Sequence, residues 1–203
     1  FVVVGSLGIV WVIPWLIINK KGPKEHPWIT EKEREYILTG QPECRVSCDT
    51  AKSWGTLLGE RKNYSVILGR FFLDPIWWMF VTWLPIYLIE VFGLDIKQIA
   101  MSAWVPYVGA AIGSVAGGWF SGLLQKRGRS LNFARKCSMI VGVCIALPGV
   151  VGATMASSAT FAVVMMALIL GGYQFVQSNL MTLAADFHYG RTVGSLAGLG
   201  GAA

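Results

Sequence analysis

The chain has 203 residues, of which 54% are hydrophobic and 14% charged, with a mean hydropathy of +0.56. Soluble domains carry about 25% charged residues, so the composition argues against an ordinary soluble fold, and the four scattered cysteines exclude a disulfide scaffold. The 24 glycines suit helices packed closely in lipid.

The chain begins at Phe1 inside one apolar run and ends at Ala203 inside another, with no initiator Met and no signal peptide. We expect a piece of a longer membrane protein. A bilayer core about 30 Å thick takes about 20 apolar residues as a helix. Phe1 to Ile18 is uncharged and stops at Asn19-Lys20-Lys21. A hydrophilic loop follows, taken here as residues 20–65. Within it, Ile29 to Leu38 reads as a short amphipathic surface helix, with Thr30 and Glu33 at capping-box spacing. Cys44 and Cys48 are four apart, but no second pair accompanies them and His26 is remote. Reduced thiols are therefore expected there, not a metal site.

Four further spans follow. Val66–Val91 qualifies only if Arg70 and Asp74 are admitted near its start, whereas Ile99–Leu124, Cys137–Ala156 and Ala159–Ala185 carry no charge. A last helix begins after Arg191. Continuous apolar runs exclude the alternation of barrel strands, so the fold class is all-α and polytopic. With alternating spans, 16 of the 17 Lys and Arg fall on one side, leaving Lys97 on the other. The positive-inside rule then places the long loop, Lys126–Lys136 and Asp186–Arg191 in the cytoplasm. The net charge of +6 is thereby accounted for by topology, and no nucleic-acid partner is expected.

Three features inside the spans carry possible chemistry. In the third span Gly109, Gly113 and Gly117 recur every four residues, with Gly118 and Gly122 repeating the spacing, a stripe that lets another backbone approach. Pro85, Pro106 and Pro148 are read as interruptions of their spans. In the second span Arg70 and Asp74 are four apart and share a helix face. Ionisable residues at membrane depth are costly, so they are functional candidates. The two either form an internal ion pair or place Arg70 in a cavity as a fork for a carboxylate. Trp77 and Trp78 sit where they can stack against a sugar-like ring. In the fifth span, Gly171-Gly172-Tyr173-Gln174-Phe175-Val176-Gln177-Ser178-Asn179 is dense in neutral hydrogen-bonding groups. Gln174, Gln177 and Ser178 share a face, and Asn179 joins them only if the glycine pair distorts the helix. Such groups serve either as interhelical glue or, as we expect here, as a surface for a polyhydroxylated ligand. The sequence has no phosphate-cradling motif, paired metal ligands or nucleophilic triad, so neither enzyme activity nor a cofactor is expected.

The run Arg70-Phe71-Phe72-Leu73-Asp74-Pro75-Ile76-Trp77-Trp78, with Trp83-Leu84-Pro85, resembles the seventh helix of hexuronate transporters in the anion:cation symporter family of the major facilitator superfamily. Lys97–Pro106, Gly117-Gly118-Trp119, Lys126–Lys136 and His26-Pro27-Trp28-Ile29 extend the resemblance over nearly the whole chain. It implies a twelve-helix bundle, of which this chain is mostly the C-terminal half: helix six (residues 1–19), the central loop (20–65), and helices seven to ten with the start of eleven (66–203). It further implies a monomeric carrier in the bacterial inner membrane, importing an anionic sugar acid with a proton by alternating access. Arg70 faces the substrate on that reading, and Gln174, Gln177 and Asn179 are candidate contacts from helix ten. Gly122 stands where the family's loop motif carries an acid. Two other readings stay open: a carrier of another organic anion, such as an aldonate or aldarate, and a non-transporting receptor or scaffold.

Overall fold

The structure, a computed structural model, describes residues 2–19, 25–39, 53–188 and 191–202. Cys44, Cys48 and Lys20–Lys21 lie outside the described residues. The chain divides into two units, Phe1–Ser47 and Cys48–Ala203. Every regular element among the described residues is helical.

The first unit contains α1 (Val2–Ile18), which is uncharged with Pro14 inside it, and α2 (Glu31–Thr39). The start of α2 differs from an ordinary capping box. Glu33 accepts from the Thr30 backbone N–H at 3.2 Å and also from the Thr30 hydroxyl, so both bonds converge on one carboxylate. The Thr30 hydroxyl, followed by its backbone N–H, holds the Glu33 carboxyl below the usual range.

The second unit opens with α3 (Trp54–Gly59) and a 3₁₀ turn at Arg61–Asn63. Then come α4 (Tyr64–Phe92), α5 (Ile96–Ser102), α6 (Trp104–Lys126), α7 (Leu131–Thr154), α8 (Ala159–Phe187) and α9 (Arg191–Ala202). Among the described residues, four stretches are long and apolar enough to cross a membrane: Arg61–Phe92, Ile96–Lys126, Leu131–Thr154 and Ala159–Phe187.

Local chemistry sets the ends of these helices. Gly93, at φ 62°, closes α4 in the left-handed conformation that glycine adopts without strain, its N–H reaching the Ile89 carbonyl. Asp95 and Gln98 form a capping box on α5, and Ser130 and Ser158 cap α7 and α8.

Two expectations are corrected here. Of the three prolines, none breaks its helix: α4 continues through Pro75 and Pro85, and α7 through Pro148. Pro106 falls in the first turn of α6, where no intrahelical bond is lost, and the chain breaks at Ala103 instead. In addition, α7 begins six residues before the apolar run, at Leu131. Arg135 and Lys136 are therefore helical, because the Ser130 cap starts the helix before the apolar run that hydropathy detects.

α8 is the central helix of this unit, with Val163, Met166, Leu170, Tyr173, Phe175 and Leu180 buried along it. Glycines explain how closely its neighbours approach. A Cβ at Gly113 of α6 would land on the Gly171 carbonyl oxygen, and one at Gly117 would lie 2.6 Å from that of Phe175. On the other side, a Cβ at Gly142 of α7 would lie 2.9 Å from the Gly172 carbonyl. Gly171 and Gly172 thus serve two interfaces, and α8 is continuous through them. Gly118 and Gly122 repeat the spacing but face open space. Leu84 and Leu88 of α4 pack on Val163 and Met166 at one end of α8, while Val66 packs with Ala184 and Leu196 of α9 at the other. Large apolar side chains such as Phe72, Trp83 and Trp119 remain exposed, as in a body surrounded by lipid or by further protein.

Gly113→Ala should lower thermal stability by about 1–3 kcal/mol through forced separation of α6 and α8, whereas Gly118→Ala, which meets no atom within 4 Å, should leave the melting temperature unchanged. In α2 the depressed Glu33 carboxyl gives a stabilising contribution that is present above its ordinary value of 4.5 and lost as the pH falls below it. The protection of the Glu31–Thr39 amides relative to intrinsic exchange at each pH should accordingly fall in acid, and Thr30→Ala should weaken that dependence.

Candidate functional site

A polar cavity of about 440 Å³ lies between α4, α6 and α8, within the range of about 300–1,000 Å³ typical of small-molecule sites. α4 contributes Arg70, Asp74, Trp77 and Trp78, spaced so that successive turns present them to one side. α8 contributes Tyr173, Gln174, Gln177, Ser178 and Met181, and α6 contributes Ser114. A larger cavity of about 770 Å³, between α4, α7 and α8, is lined by residues such as Leu73, Ile76, Val143 and Ile169 and by no charged group. Of these two, the first has a cation in its wall, Arg70.

The centre of the polar cavity is an ion pair. Arg70 donates from Nε and Nη2 to Asp74 Oδ2 at 3.1 and 2.9 Å, and from Nη1 to the Ala197 carbonyl of α9 at 3.0 Å. Gln177 Nε2 donates to the second Asp74 oxygen at 3.0 Å. Arg70 and Asp74 are thus paired with each other, and both line the cavity. Gly200 and Gly201 of α9 leave room for the arginine, since a Cβ at Gly200 would lie 2.9 Å from its Cδ. Trp77 stacks on Tyr173 with centroids 5.8 Å apart and rings inclined by 24°, and meets Tyr107 edge-on. Trp78 is 66% exposed and forms the rim.

The cavity brings together Arg70, Asp74, Trp77, Trp78, Gln174 and Gln177, and it does not include Asn179. With α8 regular at about 3.6 residues per turn, Asn179 turns away from Gln174 and Gln177. Its side chain is fully buried, donating to the Gly117 carbonyl at 3.1 Å and the Phe175 carbonyl at 3.0 Å.

Asn179 belongs instead to a second polar cluster. Arg135 of α7 makes a two-pronged pair with Asp186 of α8 at 2.9 and 3.4 Å, and donates through Nη1 to Ser121 Oγ of α6 and Asn179 Oδ1. One guanidinium therefore joins three helices. From the sequence, Arg135 falls in a basic loop and the stripe of small residues stops at the glycines. The signal that could have found the cluster is Ser121, which continues the four-residue spacing of Gly109, Gly113 and Gly117. At the same end, His188 Nε2 lies 2.8 Å from Asn63 Oδ1, and Lys62 donates to the Phe187 carbonyl at 3.4 Å.

Residues 1–203 match the family described as Major Facilitator Superfamily. The chain belongs to the Major Facilitator Superfamily. Its all-α polytopic fold is that of an integral membrane protein of this superfamily. It is similar to the hexuronate transporter of Escherichia coli (strain K12), with 33% identity over 207 residues, covering 99% of this chain and 46% of the relative. It is 34% identical to the galacturonate transporter of Dickeya chrysanthemi, covering 75% of this chain and 45% of the relative. To the probable galactarate/D-glucarate transporter of Escherichia coli (strain K12) it is also 34% identical, covering 72% of this chain and 35% of the relative. These relatives are transporters, not enzymes, and the chain spans about half their length or less.

Arg135→Ala should strand the Asp186 carboxylate and the Asn179 amide oxygen and cost about 1–3 kcal/mol. Thermal unfolding in detergent measures this, and Asp186→Asn, which keeps an acceptor for Arg135, should cost less.

Proposed function

We propose that the full-length protein is a secondary transporter that carries a sugar acid, a hexuronate such as galacturonate or glucuronate, across the bacterial inner membrane together with a proton. The observation that carries this reading is a guanidinium in the wall of a cavity that is otherwise neutral apart from its own counter-ion. A planar fork of donors is suited to a carboxylate. Gln174, Gln177 and Ser178 offer the donors and acceptors that sugar hydroxyls need, and Trp77 and Trp78 offer flat apolar faces. Asn179 acts in this proposal from behind the site, holding α6 against α8, and not as a ligand contact. The relatives named for hexuronate and galacturonate support the substrate class. Relatives named for galactarate/D-glucarate and D-galactonate favour a second reading, an aldarate or aldonate.

Alternating access requires a half that moves as a body. The α6–α8 and α7–α8 contacts, backbone against backbone, support such rigidity. We assign the end holding Lys62, Arg135, Asp186 and His188 to the cytoplasm on the distribution of basic residues, and the monomer of the full chain as the working unit. Lipid surrounds the exposed apolar faces of the helices.

Labelled galacturonate or glucuronate should accumulate in vesicles carrying the full-length protein and should cease to accumulate when the proton gradient is collapsed. Arg70→Ala should reduce uptake at low substrate at least tenfold, with Arg70→Lys intermediate because a point charge replaces the fork. Competition by a panel of sugar acids separates hexuronates from aldonates and aldarates. Absence of uptake for all of them would favour a receptor or scaffold.

A further inference from the structure

The two ends of the Gln177 amide are unequal. Its nitrogen donates to Asp74 Oδ1, and its oxygen is buried without a hydrogen-bond partner. A carboxamide is a neutral group that serves either form of a carboxyl: its N–H donates to a carboxylate, and its C=O accepts from the O–H of the acid. Rotation about the last side-chain torsion exchanges the two. Gln177 thus meets Asp74 as a carboxylate now and holds the idle acceptor that a protonated Asp74 would need.

Arg70 is the other half of the arrangement. Its Nε/Nη2 edge is taken by Asp74 and Nη1 donates to Ala197, while the Nη1/Nη2 end lies against α9, where a Cβ at Gly201 would be 3.2 and 3.5 Å from the two nitrogens. A substrate carboxylate gains the Nε/Nη2 fork only by replacing Asp74 on it. The exchange needs no helix to move, because Arg70 and Asp74 are four apart on one helix. After it, two carboxylates would face one guanidinium in a membrane-embedded cavity, an uncompensated charge that such surroundings penalise. The ionisable groups facing Asp74 are Arg70 on α4 and the Tyr173 phenol on α8. On α9 the described groups at Arg70 are the Ala197 carbonyl and the backbone of Gly200 and Gly201, and α6 offers Ser114. None of them supplies a second positive charge.

We infer that Asp74 is a proton-carrying residue of this half, releasing Arg70 to the substrate carboxylate and taking up one proton, whose O–H then turns to the Gln177 amide oxygen. This rests on the proposed transport of a carboxylate. The balance closes. Before the exchange, Arg70 and Asp74 sum to zero; afterwards Arg70 and the substrate sum to zero and Asp74 is neutral, with one proton and one anion gained. The O–H bond forms at an Asp74 oxygen with a proton taken from bulk solution through the cavity. It breaks there when the substrate leaves, the proton returning to solution as Asp74 goes back to Arg70.

The test is proton uptake on binding, measured with a pH indicator when galacturonate is added to the purified full-length protein in weak buffer, alongside affinity across pH. Asp74→Asn should bind while taking up about one proton fewer per anion than wild type, so that its affinity changes with pH up to about tenfold less per unit. Gln177→Leu keeps the Arg70–Asp74 pair but removes both the N–H given to the carboxylate and the acceptor for the acid, and should narrow the pH range over which the proton is taken up. It provides the readout should Asp74→Asn fail to fold. Unchanged proton uptake in Asp74→Asn, or an unchanged pH profile in Gln177→Leu, overturns the assignment while leaving transport intact. If the wild-type protein binds no sugar acid, both proposals fall.

Discussion

Between α6, α7 and α8 the backbones meet with almost nothing between them, and the rest of the second unit depends on that contact. Gly113 lies against Gly171, Gly117 against Phe175, and Gly142 against Gly172. In lipid there is no hydrophobic driving force to pull helices together, so close van der Waals approach supplies it. The approach also fixes rotation. With one side of α8 committed to α6 and another to α7, Tyr173, Gln174, Gln177 and Ser178 can face only the cavity they share with α4. The polar face of α8 is thus placed by glycines that touch no ligand.

That constraint explains which parts of the site were legible from the residues. Arg70, Asp74, Gln174 and Gln177 stand out in apolar runs, and helical spacing alone groups them. The phase of Asn179 was also readable, since five residues from Gln174 puts it well round the helix. Whether Gly171 and Gly172 distort α8 was not readable, because a glycine pair reads alike as a flaw and as a contact until the facing helices are in place. The outcome is contact on both sides: Gly109 and Gly113 at Gly171, Ala146 and Gly142 at Gly172.

Arg135 marks a different limit. Hydropathy assigns a charge near the end of an apolar run to a loop, and the basic residues around it reinforce that reading. The Ser130 cap begins the helix at Leu131, and Arg135 then lies one turn inside α7, facing Asp186. Its partners come from helices far apart in sequence, 14 residues to Ser121, 44 to Asn179 and 51 to Asp186. No local pattern contains such a set. Similarly, Ala197 as an acceptor for Arg70 is 127 residues distant and carries no side-chain signal at all.

The two arginine–aspartate pairs of this unit are built from the same groups to opposite effect. Arg135 draws Asp186 and Asn179 from α8 and Ser121 from α6, so that breaking any of its bonds loosens an interface between helices. Arg70 takes its carboxylate from its own helix, one turn away, and the pair borders a polar cavity. Replacing its counter-ion by another carboxylate, as proposed, would leave α4 and α8 together, because Leu84 and Leu88 hold those helices at one end and Val66 and Ala184 at the other. A buried ion pair whose two members sit on different helices acts as a clasp. One whose members share a helix and face a cavity is a charge held in reserve, and the half-buried Arg70–Asp74 pair is of that second kind.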